Sequence, residues 1–373
     1  MVVEPDRPQR IARLTPLADV LARLEALVEP VTPRAAGLSA ARGRTLAEDV
    51  VIPAPIPATA RALRDGWAVR SDLTVDASGY APAPLPSAVR LDVGEPLPGD
   101  ADAVAPLDAV AIREGSAQAL APVGPGEGVL AAGVDGARGA VLLSAGRRLG
   151  GVEIALLAAA GIAEVRVRAP RLRLVRTRRG SDAVIDAAIG YIADAIGSQG
   201  GDALMAAPDD PANALADAGA DAVIAIGGTG AGRRDVMVRT LASMGEVLVH
   251  GVALLPGETT ALGTVGARPV LALPGRLDAA LAAWHVLGRL MLARLAANQE
   301  TPSMRSARLT HKVSSSVGLA ELVPVRCAGL SATPIASGYV PLAALAQANG
   351  WILINADSEG YPAQSEVVIR PWP

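Results

Sequence analysis

Residues 221–235, DAVIAIGGTGAGRRD, place an apolar run, four glycines, two arginines and two acids within one short stretch. Gly227, Gly228, Gly230 and Gly232 let backbone approach a ligand closely, and amides at such a turn suit an anion. Two familiar nucleotide loops fail here. A dinucleotide fingerprint counted from Gly228 and Gly230 needs its last glycine where Arg233 stands, and a Walker loop needs Lys and a hydroxyl where Arg233 and Arg234 follow Gly232. Asp235 is then either the cap that opens the next helix or a site carboxylate. LVRTRRG (174–180) and LALPGR (271–276) end in the same way, bringing Thr177, Arg178 and Arg179, then Pro274, Gly275 and Arg276. Each loop follows a buried-strand run, so the three are expected on one rim of a parallel sheet, facing a ligand. Their arginines either offer planar paired donors to phosphate or are solvated surface.

The elements that must position these loops follow from periodicity. Leu17, Val20, Leu21, Leu24 and Leu27 recur at helical spacing behind Thr15 and Pro16, predicting an amphipathic helix. From Tyr80 to about Ala140, short alternating runs broken by Gly and Pro predict a strand-rich module. Residues 152–160 read as a helix ended by Gly161, followed by the strand EVRVR. From Pro170 to about Ala297, apolar runs alternate with helical stretches, the pattern of a mostly parallel sheet with helices on both faces. Past residue 300 short strands return. The expected class is therefore a multidomain α/β protein.

Composition narrows the function classes. The 373-residue chain is 51% hydrophobic without any Phe, so its core rests on Ala, Val, Leu and Ile. A net charge of −3 with no basic stripe argues against nucleic-acid partners. Cys327 stands alone and His250, His285 and His311 lie far apart, which supports neither a disulfide framework nor a zinc site. The histidines read as a strand-end residue, a member of an apolar helix and a residue of the C-terminal module. MVVEPDRPQR has no apolar signal-like core, and the apolar stretches are interrupted before they reach a bilayer span. A cytoplasmic protein without a membrane anchor is expected.

Six stretches, in order along the chain, carry a more specific signal: RDGWAV (64–69), PLPGDADAV (96–104), residues 139–177, the glycine loop, LLPGETTALG (254–263) and LALPGR. Together they resemble the molybdopterin molybdenumtransferase family, that of MoeA and the gephyrin E domain. The resemblance implies a helical and extended linker region from residues 10–48 and 140–170, and an inserted β-rich domain over 49–139. It also implies a MogA-like, three-layer molybdopterin-binding α/β domain over 171–300 and a small C-terminal β domain over 301–373. The implied activity is insertion of molybdate into adenylylated molybdopterin with release of AMP, by a homodimer working with Mg2+. A MogA-like adenylyltransferase or a client molybdoenzyme is the implied partner.

By position in the family's motifs, Asp65, Asp135 and Asp235 are the expected catalytic acids, with Asp65 and Asp235 also expected on the metal. Thr177, Arg178, Arg179, Gly227, Gly228, Thr229, Gly230, Gly232, Arg233, Arg234, Pro256, Gly257, Pro274, Gly275 and Arg276 are the expected pterin-binding set. Several positions depart from the pattern. Leu255 and Glu258 replace the lysines of the family's KPGKP, the Glu of its STGDEL is gone, and the arginines before Asp135 are alanines. Losing those cations weakens phosphate binding unless the loop arginines substitute. The alternative is a catalytically degenerate relative that binds or delivers the cofactor.

Overall fold

The apolar spacing behind Thr15 is realised as helix α1 (Leu17–Leu27), with Leu17, Val20 and Leu24 buried. The computed structural model describes residues 9–177, 182–205, 211–300 and 304–372. The chain divides into two units. One holds the residues up to Glu48, Ala145–Ile154 and those from Glu164 onward; the other holds Asp49–Ser144 and Ala155–Ala163.

The first unit is built on a six-stranded sheet. In chain order its elements are β1 (Arg171–Arg176), α2 (Ala183–Ser198), β2 (Asp202–Met205), α3 (Pro211–Ala216), β3 (Ala222–Ile226), α4 (Met237–Met244), β4 (Glu246–His250), β5 (Ala261–Val265) and β6 (Arg268–Leu273). The strand order is β2-β1-β3-β6-β5-β4. The first four are parallel, and β5 runs antiparallel between β6 and β4. Period-two alternation sends Leu172, Leu174, Ile224, Ile226, Leu271 and Leu273 to one face, where α2 and the helix Leu277–Ala283 pack on the strands and α1 joins the same core. Val223, Ala225, Val270 and Ala272 point to the other face, against α3 and α4. Burial on both faces is why these strands read as continuous apolar runs. Asp182 caps α2, accepting from the amides of Val184 and Ile185.

Beyond β6 the chain forms one helical rod, α5 (Leu277–Ala283), a π-helical turn (Trp284–Gly288) and α6 (Arg289–Ala296). At 20 residues it is long and apolar enough to cross a membrane, but 72% of its most apolar window is buried inside the protein. The expectation of no apolar stretch of spanning length is corrected here. Arg289 and Arg294 do not interrupt the helix, because long basic side chains leave its apolar face intact.

His285, in the π-helical turn, is buried beside Tyr191, Trp351 and Trp372, with the Tyr191 hydroxyl 2.7 Å from Nε2. Burial, helped by the nearby Arg289, lowers its pKa from 6.5 to about 3, and burial pushes Tyr191 up to about 12. The unfolded chain therefore gains a proton below pH 6.5 that the folded chain refuses until about pH 3. Stability is complete above pH 6.5 and is lost as pH falls, by about 1.4 kcal/mol per unit. Urea titrations at pH 7 and pH 5 are expected to show this loss, about 2 kcal/mol, and His285→Gln should remove that increment.

In the C-terminal module, Ala320–Ala328, Ser331–Pro334, Arg305–Leu309, Glu366–Pro371 and Gly350–Ile354 pair in sequence, and the last pairs back with the first. This ring has no open edge among these strands. The linker sheet pairs Arg34–Gly37 and Thr45–Leu46 with Glu164–Arg168, joining chain segments more than a hundred residues apart. In the second unit, Gly66–Val69 pairs with Val89–Leu91 and Ala103–Pro106, and a separate three-stranded sheet holds Ser116–Ala119 between Ala83–Pro84 and Val110–Arg113. These short strands match the strand-rich reading of residues 80–140.

Candidate functional site

The strand order puts the C-terminal ends of β1, β3 and β6 side by side, and their loops meet. Thr177 Oγ1 donates to the Ile226 carbonyl at 3.0 Å, and the Gly227 amide donates to Leu273 at 2.9 Å. Gly227 and Gly228 adopt φ of 89° and 68°, the left-handed region open to glycine. A side chain on Gly228 would begin 2.8 Å from Thr177 Oγ1 and 3.3 Å from Met237 Cβ. Gly275 lies against Gly227, with only 3.4 Å between the place a Cβ would take on Gly275 and the Gly227 Cα. Thr177, Gly227, Gly228 and Gly275 therefore share one tightly packed rim.

Within the glycine loop, consecutive carbonyls are all held. Gln9 Nε2 donates to Gly228 at 2.7 Å and to Gly230 at 2.8 Å, and His250 Nε2 lies 2.9 Å from the Thr229 carbonyl. The amides of Thr229, Gly230 and Ala231 find no acceptor among the described residues. Thr229 Oγ1 meets Thr259 Oγ1 at 2.9 Å. Asp235 is buried, and its Oδ2 accepts the Gly232 amide at 3.0 Å. Helix α4 starts two residues later behind Val236, with no side-chain cap from Val236. Of the two readings of Asp235, the helix cap is set aside, because its carboxylate closes the loop and the helix starts behind Val236. Arg233 and Arg234 are exposed, with no ion pair or hydrogen bond among the described residues.

The neighbouring LPGET loop explains what became of the missing cations. Leu255 is paired in a two-residue strand opposite Glu321. A cis peptide joins it to Pro256, and Gly257 takes a φ of 137°. The Glu258 carboxylate folds back onto the Gly257 amide at 2.9 Å, which ties much of its charge to the backbone. Arg276 donates through Nε and Nη2 to Asp278 at 3.0 and 2.6 Å and lies over the Tyr339 ring. Asp278, then Glu258 more weakly, raises the Arg276 pKa. Asp278 is itself buried and also accepts from the amides of Ala279 and Val340. Arg276 is thus a preorganised guanidinium with two of its donors already engaged. Pro274 precedes this turn at the end of β6.

Asp65 and Asp135 belong to the second unit and are both exposed. Asp65 Oδ1 accepts the Val93 amide at 2.8 Å, which pins the Asp-Gly corner. The Asp135 carboxylate has no partner among the described residues, while its amide donates to Ile56. Arg178 and Arg179 lie outside the described residues. Among the described residues, no three His, Cys, Asp or Glu side chains gather to hold a metal ion. The described residues therefore form no magnesium cage, and one carboxylate oxygen of Asp235 is already engaged.

Sequence reasoning missed Gln9, Thr259 and Asp278 and undervalued His250. Asp278 carried a signal, an acid in the first turn of a helix behind a glycine loop. Gln9 carried none, because it acts across 219 positions.

Comparison with known proteins accounts for this arrangement. Residues 15–161 match the MoeA N-terminal region (domain I and II), and residues 175–294 match a probable molybdopterin binding domain. The chain is 30% identical to molybdopterin molybdenumtransferase 2 of Mycobacterium tuberculosis over 80% of this chain and 84% of that protein. It is 25% identical to the molybdopterin molybdenumtransferase of Haemophilus influenzae, over 94% of this chain and 96% of that one. A crystal structure of the molybdopterin biosynthesis MoeA protein from Pyrococcus horikoshii superposes with a TM-score of 0.82 at 28% identity, covering 96% of this chain and 99% of the other.

Proposed function

Since the chain belongs to the molybdopterin molybdenumtransferase family, we propose that it acts in molybdenum cofactor biosynthesis, inserting molybdate into adenylylated molybdopterin with release of AMP. The observation that carries this reading is the glycine loop, with the carbonyls of Gly228, Thr229 and Gly230 occupied and the amides of Thr229, Gly230 and Ala231 lacking acceptors among the described residues. A row of such amides is a nest for a phosphate oxygen, reinforced by the exposed guanidiniums of Arg233 and Arg234. Arg276 is held in place by Asp278 to add a further cation, and Arg178 and Arg179 belong to the same proposed set. Gly227, Gly232, Gly257 and Gly275 let the loops pack closely, since a Cβ on each would meet the protein's own atoms, and Thr177, Pro256 and Pro274 shape the turns around them.

In this reading the protein orients the substrate's phosphoric anhydride and its dithiolene, and Asp65, Asp135 and Asp235 are the acids assigned to catalysis. Magnesium binds by choice through one or two carboxylates together with substrate phosphates. The Mg2+ of this proposal therefore arrives with the phosphorylated substrate instead of residing in the protein. A cytoplasmic homodimer, with a MogA-like adenylyltransferase upstream or a client molybdoenzyme downstream, completes the proposal.

A second reading is favoured by one observation. Leu255 and Glu258 remove two cations, and no new cation is paired with Glu258 by hydrogen bond or ion pair among the described residues. On that reading the chain binds or delivers the cofactor without inserting metal. Incubation with adenylylated molybdopterin and molybdate decides between them. AMP release is the expected result; tight pterin binding without AMP favours the carrier, and neither result overturns both readings.

A further inference from the structure

The loop that the proposed function treats as the phosphate site does not set its own direction. Its three carbonyls, those of Gly228, Thr229 and Gly230, are gripped by two side chains from distant parts of the chain, and the Gly228 carbonyl also accepts the Met237 amide at 3.1 Å. The cis peptide bonds of the described residues precede Pro57 and Pro256, so the peptides of this loop are trans. In a trans peptide the C=O and the following N–H point in opposite directions. Holding the carbonyls of Gly228 and Gly230 at Gln9 therefore turns the amides of Thr229 and Ala231 away from Gln9. Holding the Thr229 carbonyl at His250 turns the Gly230 amide away from the imidazole.

We propose that Gln9 and His250 are positioning residues that aim the amides of the glycine loop at a phosphate group of the substrate; this rests on reading that loop as the phosphate site. The chemistry of each side chain fits the task. Gln9 is buried, and one amide group meets three backbone groups: Nε2 donates to both carbonyls, and Oε1 accepts the Arg239 amide at 3.3 Å. A primary amide carries the two donors and the acceptor that this needs. A carboxylate would oppose two carbonyl oxygens. The Thr229 carbonyl can only accept, so it assigns the proton of His250 to Nε2. A buried backbone group is normally paired within the protein, and Thr229 is buried while Gly230 is half-buried and Ala231 exposed. The Thr229 amide, open among the described residues beside two more accessible ones, therefore marks the place for an incoming acceptor.

The test uses the full chain and inorganic pyrophosphate as probe, read by the 1H–15N signals of Thr229, Gly230 and Ala231. These signals should shift and saturate in the unchanged protein. In Gln9→Met, which removes the clamp without adding charge, pyrophosphate should bind about tenfold more weakly, in a chain that still folds with a lowered Tm because three hydrogen bonds are lost. Gln9→Glu should bind more weakly still. If Gln9→Met folds poorly, His250→Phe tests the same statement through the Gly230 signal. Equal pyrophosphate affinity in the variants, or amides of the unchanged protein that do not move, overturns the proposal. AMP release is scored separately. Shifted amides without AMP release leave this inference standing and remove the insertion reading, while AMP release with variants that bind pyrophosphate normally does the reverse.

Discussion

Asp65→Asn is expected to release AMP from adenylylated molybdopterin about a hundredfold more slowly than the unchanged chain, with the same melting temperature. Asn is chosen over Ala because Asp65 has a local duty that must be kept. Its Oδ1 accepts the Val93 amide and holds an exposed corner leading into the strand Gly66–Val69. An Asn oxygen can take that hydrogen bond, so the substitution removes charge and little else. A carboxylate that stabilises charge rearrangement at molybdate or at a phosphate-bound cation contributes about two orders of magnitude or more. A rate equal to that of the unchanged protein takes Asp65 out of the reaction. A fall in melting temperature with Asn would instead mean that its charge serves the corner.

Gly228→Val is expected to abolish measurable pterin binding, and AMP release with it, while the protein still folds. Two effects combine. A β-branched residue at a φ of 68° is strained by about 1–3 kcal/mol. The new side chain would also begin 2.8 Å from Thr177 Oγ1 and 3.1 Å from Thr177 Cβ, atoms too close to the backbone to swing aside. The loop must move, and the amides of Thr229, Gly230 and Ala231 move with it. Gly266→Val supplies the control. Gly266 has a similar φ of 60°, and a Cβ there meets nothing within 4 Å. Both variants should lose stability in urea titrations, Gly228→Val the more because of its added contacts, but Gly266→Val should keep its ligand affinity. If Gly228→Val binds molybdopterin as the unchanged protein does, the glycine loop is a turn and not a site.

The one-dimensional pattern determined a good deal of this molecule. Helix α1 follows from Leu17, Val20 and Leu24 at helical spacing, and β3 from five consecutive apolar residues with both faces buried. The apolar runs ending in Thr177, Gly227 and Leu273 gave three loops of one parallel sheet their place on a common rim, because parallel strands share a direction. These signals are local, since residues close in sequence determine whether a segment can bury one face or two. The ordered motifs that resemble the family are local in the same sense.

Only the tertiary structure decided which way the groups at that rim face. Asp235 reads as a helix cap from its neighbours, yet its carboxylate closes the loop onto Gly232, since α4 begins behind Val236. Glu258 reads as an anion set against phosphate, yet it folds onto the Gly257 amide. His250 reads as a strand end, yet β4 carries it to the Thr229 carbonyl, and Gln9 reaches Gly228 from the far end of the chain. Hydrogen bonds reach only about 3 Å and depend on direction. Whether two groups meet at that range is settled by how whole elements pack, which no spacing along the sequence encodes.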